Sequence, residues 1–144
     1  MPKLNRKKIL VLALYAAEIM LKNGAETYRV EDTIMRICKS RKIKYVEALV
    51  TPTGIHISVD NKNTEEENML SFNKRIKNRK INLEKVAKVN DFSRKFVNTE
   101  MTIKEGMDIL REIDDKPAPY KNYIQAVLAE LPVVFLYFCL ELIF

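Results

Sequence analysis

Asn23-Gly24-Ala25-Glu26-Thr27-Tyr28-Arg29-Val30-Glu31-Asp32 joins two stretches whose apolar residues recur at helical spacing. Gly24 has no Cβ, so it can take the positive φ that ends a helix at no steric cost. Thr27 is placed to cap a second helix, with Glu31 and Asp32 near the positive end of its dipole. The stretch therefore reads as helix, tight corner, helix. Upstream, the first helix spans about Leu4 to Lys22, and apolar residues surround most of it, so it should be the most buried element. Its run Ile9 to Ala17 is too short to cross a bilayer, and charged Glu18 and Lys22 follow it with no small-residue cleavage site. Downstream, the second helix spans about Tyr28 to Arg41. Val30, Ile34, Ile37 and Cys38 share one face, and Arg36, Lys39 and Arg41 are turned to solvent near the carboxyl end.

The period then changes. Lys44 to Val50 is rich in Val and Tyr, and Thr51-Pro52-Thr53-Gly54 is turn chemistry. Ile55-His56-Ile57-Ser58-Val59 alternates with period two, as a half-buried strand does. After a polar loop from Asp60 to Asn68, Met69 to Ile76 alternates more loosely, with Leu70, Phe72 and then Lys74 opposite Ser71, Asn73 and Arg75. These three strands predict a small antiparallel meander. Lys77-Asn78-Arg79-Lys80 is a basic connector. Asn82 can cap a third helix over Leu83 to Val97, on which Leu83, Val86, Asn90 and Val97 share a broad face. Thr102-Ile103-Lys104-Glu105 has the capping-box pattern, so a fourth helix should begin at Ile103, with Ile103, Met107, Leu110 and Ile113 as its stripe. Asp114 to Pro119 ends it.

From Tyr123 to Phe144 the chain is mostly apolar, interrupted by Glu130, Pro132 and Glu141. Its length suits a membrane span, since about 20 helical residues cross roughly 30 Å. The carboxylates oppose that, at about 2.5 to 3.5 kcal/mol each near a bilayer centre, and a core helix is the competing reading. The 144 residues carry 25 Lys and Arg against 19 Asp and Glu, a net charge of +6. That balance fits a solvated surface, a nucleic-acid site, an anionic membrane face, or the cytoplasmic flank of a membrane protein. Cys38 and Cys139 are the only cysteines, and they form no metal-ligand spacing or disulfide framework, which favours a reducing compartment.

Glu26, Arg29, Glu31 and Asp32 crowd one helix start. Such a cluster can be a solvated helix end, or a carboxylate and a guanidinium offered to the two charges of an amino acid zwitterion. Thr51 and Thr53 belong to a hairpin turn whose hydroxyls could also bond a polar ligand. Asn90 and Arg94 are polar on a helix that is otherwise amphipathic, and Arg75 is a further potential partner. Glu26, Arg29, Arg75, Asn90 and Arg94 are expected to converge into one polar network. His56 is the sole histidine and reads as a surface residue. No nucleophile elbow, Walker loop or zinc-protease motif occurs, so no enzyme, metal or cofactor is indicated.

Gly24-Ala25-Glu26-Thr27-Tyr28-Arg29-Val30-Glu31, with Val50-Thr51-Pro52-Thr53-Gly54-Ile55, resembles the amino-terminal domain of the threonine/serine exporter family. Arg75-Ile76, Asn82-Leu83, Val89-Asn90 and Ser93-Arg94 follow in register, so the resemblance covers roughly residues 8 to 120. It implies a cytoplasmic domain ahead of a bundle of membrane helices in the inner membrane, acting in efflux of threonine and serine. Residues 1–120 would be that domain, and residues 121–144 the first membrane helix of a truncated or frameshifted member. Companion transmembrane exporter helices or a subunit are the implied partners, and the residues above become candidates for substrate binding or gating. The fold expected is α+β: two helices, a three-stranded antiparallel meander, two helices and a terminal apolar helix. Two rivals are a small hydrolase acting on amino acids or peptides, and a nucleic-acid module using Lys74, Arg75, Lys77, Arg79 and Lys80. The hydrolase lacks a visible nucleophile–base pair, and the nucleic-acid module lacks an aromatic stacking platform, so no nucleic acid is expected as a partner.

Overall fold

The computed structural model describes residues 3–60 and 69–117. They form α1 (Lys3–Lys22), α2 (Thr27–Ser40), β1 (Val46–Thr51), β2 (Gly54–Val59), β3 (Leu70–Arg75), α3 (Leu83–Asn98) and α4 (Ile103–Asp115). The architecture is α+β, with four helices and an antiparallel sheet in the order β1-β2-β3. The expected terminal apolar helix lies outside the described residues. Among those described, no helix is long and apolar enough to cross a membrane.

α1 is the centre of the molecule because it is apolar nearly all round. Ile9, Leu10, Leu12, Ala16, Ile19, Met20 and Leu21 are all buried. α1 packs against α2, α3, α4, β2 and β3. It stops at Gly24, whose φ is +92°. The Gly24 N–H donates to the Leu21 carbonyl (3.3 Å) and the Ala25 N–H to that of Met20 (3.0 Å), the paired closure of a Schellman corner. α2 ends in the same way, but with Lys42 at φ +62°. Here the Lys42 N–H donates to Lys39 (3.0 Å) and the Ile43 N–H to Cys38 (3.1 Å).

Two expectations for α2 are corrected. Thr27 is its first helical residue, and the capping position falls to Glu26, which is extended and makes no side-chain cap hydrogen bond. The Glu26 carboxylate turns to Arg29 instead. Arg36 and Arg41 are not left to solvent, because α2 lies against α3 and both guanidiniums find acceptors there. Arg41 stacks over the Phe96 ring at 4.3 Å and donates to the Met101 carbonyl at 2.7 Å. The inner face of α2 is Val30, Thr33, Ile34, Ile37 and Cys38. Burial pushes the Cys38 thiol up to about 12.

In the sheet, Thr51 pairs with Gly54 and Val50 with Ile55, leaving Pro52-Thr53 as a two-residue turn. Ile57 pairs with Phe72 across to β3. Val46, Val50, Ile55, Ile57 and Val59 are buried beneath the helices, while Leu49 stands on the open face. Lys74 shares the inner face, as the alternation requires. Its ammonium lies 3.1 Å from the Glu18 carboxylate of α1, which also holds Lys22 at 2.6 Å.

Asn82 caps α3 by accepting from the Lys85 N–H at 3.2 Å. The inner face of α3 is Val86, Val89, Phe92, Ser93 and Phe96. This corrects the face expected through Leu83 and Val97, both of which are exposed. Val97 stands about 100° around the helix from Phe96, and Leu83 projects from the first turn. α4 opens with the expected capping box between Thr102 and Glu105. Leu110 and Ile113 are buried, and Ile103 and Met107 are half-buried. Gly106 lets α4 approach closely, since a Cβ there would stand 3.2 Å from Leu12 and 3.3 Å from Phe92 and Phe96.

Candidate functional site

The corner after α1 is where the chain's unusual residues gather. A segment from Ile76 to Asn82 crosses the last carbonyls of α1. The Lys80 N–H donates to Lys22 (2.8 Å) and the Asn82 N–H to Asn23 (3.0 Å). The Arg79 Nε–H donates to the Leu21 carbonyl (3.2 Å), setting a guanidinium at the negative end of the helix dipole. The same segment begins at the hairpin turn, where the Ile76 N–H donates to the Thr53 carbonyl (2.9 Å). On the other side, the Val50 N–H donates to Glu31 Oε1 (2.9 Å), which ties α2 to the edge of β1. These bonds bring the segments carrying Glu26, Arg29, Glu31, Thr51, Thr53 and Arg75 to one end of the molecule.

Within that set the side chains do different things. Glu26 and Arg29 form an exposed pair at 3.5 Å. Glu31 is committed to the β1 backbone. The Thr51 hydroxyl donates to the Gly54 carbonyl at 3.3 Å inside the turn, and Thr53 is exposed. Arg75 is exposed on the strand paired with Gly54. Asn90 and Arg94 lie farther along α3. Asn90 accepts from Arg36 at 3.3 Å, and Arg36 also donates to Ser93 at 3.1 Å and pairs with Asp32. Arg94 points to solvent.

The expected five-residue network is therefore corrected. Among the described residues no hydrogen bond or ion pair joins Glu26 to Arg75, Asn90 or Arg94. Arg36, expected in solvent, takes the place that Arg94 was expected to fill. The signal was present in the Asp32–Arg36 spacing of four, which aims both at one helix face.

Three further polar groups escaped the sequence reading. Glu18 is buried between Lys22 and Lys74. Burial works to raise its pKa, but the two ammonium bonds outweigh that and hold it below the usual carboxylate range. Lys85 is buried, and its ammonium donates to the Asp114 carbonyl at the end of α4. Tyr15 donates to Asp114 Oδ2 at 3.1 Å. Burial first, and then the charge of Asp114, push the Tyr15 hydroxyl up to about 12. Both bonds fasten the point at which the chain leaves α4.

A groove of about 710 Å³ runs between α1 and α4, floored by Val11, Ile103 and Met107 and edged by Lys7, Lys8 and Arg111. None of the residues nominated from the sequence lines it. His56 lies on the open sheet face, in a smaller hollow with Glu47, Leu49 and Ser58. No group of three or more His, Cys, Asp or Glu among the described residues is placed to hold a metal ion.

A family model described as "putative threonine/serine exporter" matches residues 11–140. The chain belongs to the threonine/serine exporter family. That family is one of membrane transporters, and the match runs through every described element and on into the apolar run that follows α4. Comparison with curated proteins and with solved structures gives no significant match.

Proposed function

We propose that residues 1–120 are the cytoplasmic domain of an inner-membrane exporter of threonine and serine, and that residues 121–144 begin its membrane part. The observation that carries this reading is the span of the family match, which joins the described globule to the apolar run without a break. The positive charge of the domain agrees with a cytoplasmic side. Transport itself belongs to membrane helices, supplied by companion segments or a partner subunit. The domain's part is to present polar groups at the corner after α1. Glu26 and Arg29 offer a carboxylate and a guanidinium to a zwitterion, with Thr51, Thr53 and Arg75 on neighbouring segments as further substrate or gating contacts. Glu31 and Asn90 act behind them, Glu31 by fixing α2 to β1 and Asn90 by fixing α2 to α3.

The test is fractionation of the intact chain beside a version ending at Pro119. The intact chain is expected to stay in the membrane fraction through a high-salt wash, and the shorter version to be in the supernatant after that wash. Equal solubility of the two overturns the membrane assignment.

A further inference from the structure

The connector between β3 and α3 shows side chains that folding leaves largely unused. Lys77 and Lys80 are exposed, Arg79 is exposed apart from the Nε–H it gives to the Leu21 carbonyl, and two large apolar side chains follow, Ile81 at 85% exposure and Leu83 at 66%. Exposed aliphatic tips next to clustered cations are costly in water, and they match the boundary of an anionic bilayer, where headgroups meet acyl chains. The backbone here is held firmly, by the Lys80 and Asn82 bonds to the end of α1. Gly24 lets this segment lie close, with the Lys80 carbonyl 3.4 Å from where a Cβ would stand. The tips are thus displayed on a fixed edge.

The position of this edge singles out its partner. Lys85, in the first turn of α3, bonds the Asp114 carbonyl, so the chain leaves α4 beside the same turn that carries Leu83. The apolar run from Tyr123 starts six residues after Pro117, a reach of at most about 20 Å when extended. Nearby acids are largely occupied: Glu84 pairs with Lys88 at 2.5 Å, Asp114 accepts from Tyr15, and Glu26 pairs with Arg29. Asp115 is the exposed exception.

We propose that the 77–83 edge seats the domain on the anionic lipid surface of the membrane. Lys77, Arg79 and Lys80 meet headgroup phosphates, and Ile81 and Leu83 enter the acyl boundary. This rests on the membrane reading above and adds to it an orientation, with the corner after α1 facing the bilayer and the α1–α4 groove turned away.

The experiment uses the full chain with Cys139→Ser and a fluorophore on either Ile81→Cys or Val11→Cys, both exposed positions. The chain is reconstituted into vesicles of phosphatidylcholine with about 30% phosphatidylglycerol, containing lipids spin-labelled at the headgroup, and flotation is read on the same sample. If the proposal holds, the label at 81 is quenched at least about threefold more than that at 11. The difference shrinks without phosphatidylglycerol, in high salt, and in Lys77→Glu/Lys80→Glu, by roughly fivefold in surface affinity per charge lost. Equal quenching at both sites in floating vesicles overturns the seating and leaves the membrane reading intact. Failure to float overturns both. If an oligonucleotide duplex displaces the label at 81 from the vesicles, the edge is a general phosphate binder and the lipid assignment falls.

Discussion

Gly24 and Lys42 occupy equivalent positions in two Schellman corners, with φ of +92° and +62°, and this pairing makes a stringent test of the fold. A left-handed residue with a side chain costs about 1–2 kcal/mol, and glycine loses about 0.5–1 kcal/mol more entropy on folding. For Gly24→Ala the first term dominates. The new Cβ would stand 3.4 Å from the Lys80 carbonyl, about van der Waals contact, so the cost comes from the backbone angle. A net loss of about 1–2 kcal/mol is expected. For Lys42→Gly the same terms change sign, and a gain of about 0.5–1 kcal/mol is expected. Urea unfolding followed by circular dichroism would show the midpoint falling by roughly 0.5–1 M in the first variant and rising by a few tenths in the second. An unchanged or raised midpoint for Gly24→Ala, or a lowered one for Lys42→Gly, would refute the assignment of these corners.

Three other perturbations have defined outcomes. Because Glu18 titrates below its ordinary value in the folded chain, its contribution is complete above the unfolded value of about 4.3 and is lost as pH falls through the folded one. Glu18→Gln should cost on the order of 1–2 kcal/mol at neutral pH and should flatten the acid limb of Tm against pH; an unaltered limb counts against the pairing. Arg41→Ala should cost about 2–3 kcal/mol through the stack on Phe96 and the Met101 bond. Arg41→Lys should recover less than half of that in thermal unfolding, because an ammonium cannot stack and fork at once. Thr102→Ala should cost about 1 kcal/mol, read as a lowered Tm; no change would show that the capping box adds nothing.

The secondary structure was legible because its signals were local. Asn82 and the Thr102–Glu105 box mark helix starts by bonds within three residues, and Ile55 to Val59 shows its strand by alternation alone. What could not be read was which helix faces which. Asn90 looked like a partner for Glu26 or Arg94, yet it bonds Arg36, 54 positions away, because α2 and α3 run side by side. Nothing local in the sequence marks Lys85, and only the meeting of α3 with the end of α4 shows its use. The cluster at Glu26 to Asp32 was visible as composition, but its division into a free pair, a strand tie and a helix tie depends on β1 and α3. The family motifs located the corner without saying which of its residues serve architecture.

Among the described helices α1 comes first in the chain, yet its burial waits on α4. It packs against α2, α3, β2, β3 and finally α4, where Leu12 lies beside Gly106. On the ribosome its apolar surface therefore waits for α4 to emerge, since synthesis proceeds at only about 5–20 residues per second. The apolar run follows directly behind. On the proposed membrane reading, closure of the globule and delivery of that run to the bilayer fall within the same few seconds, and their order decides whether α1 reaches its own core.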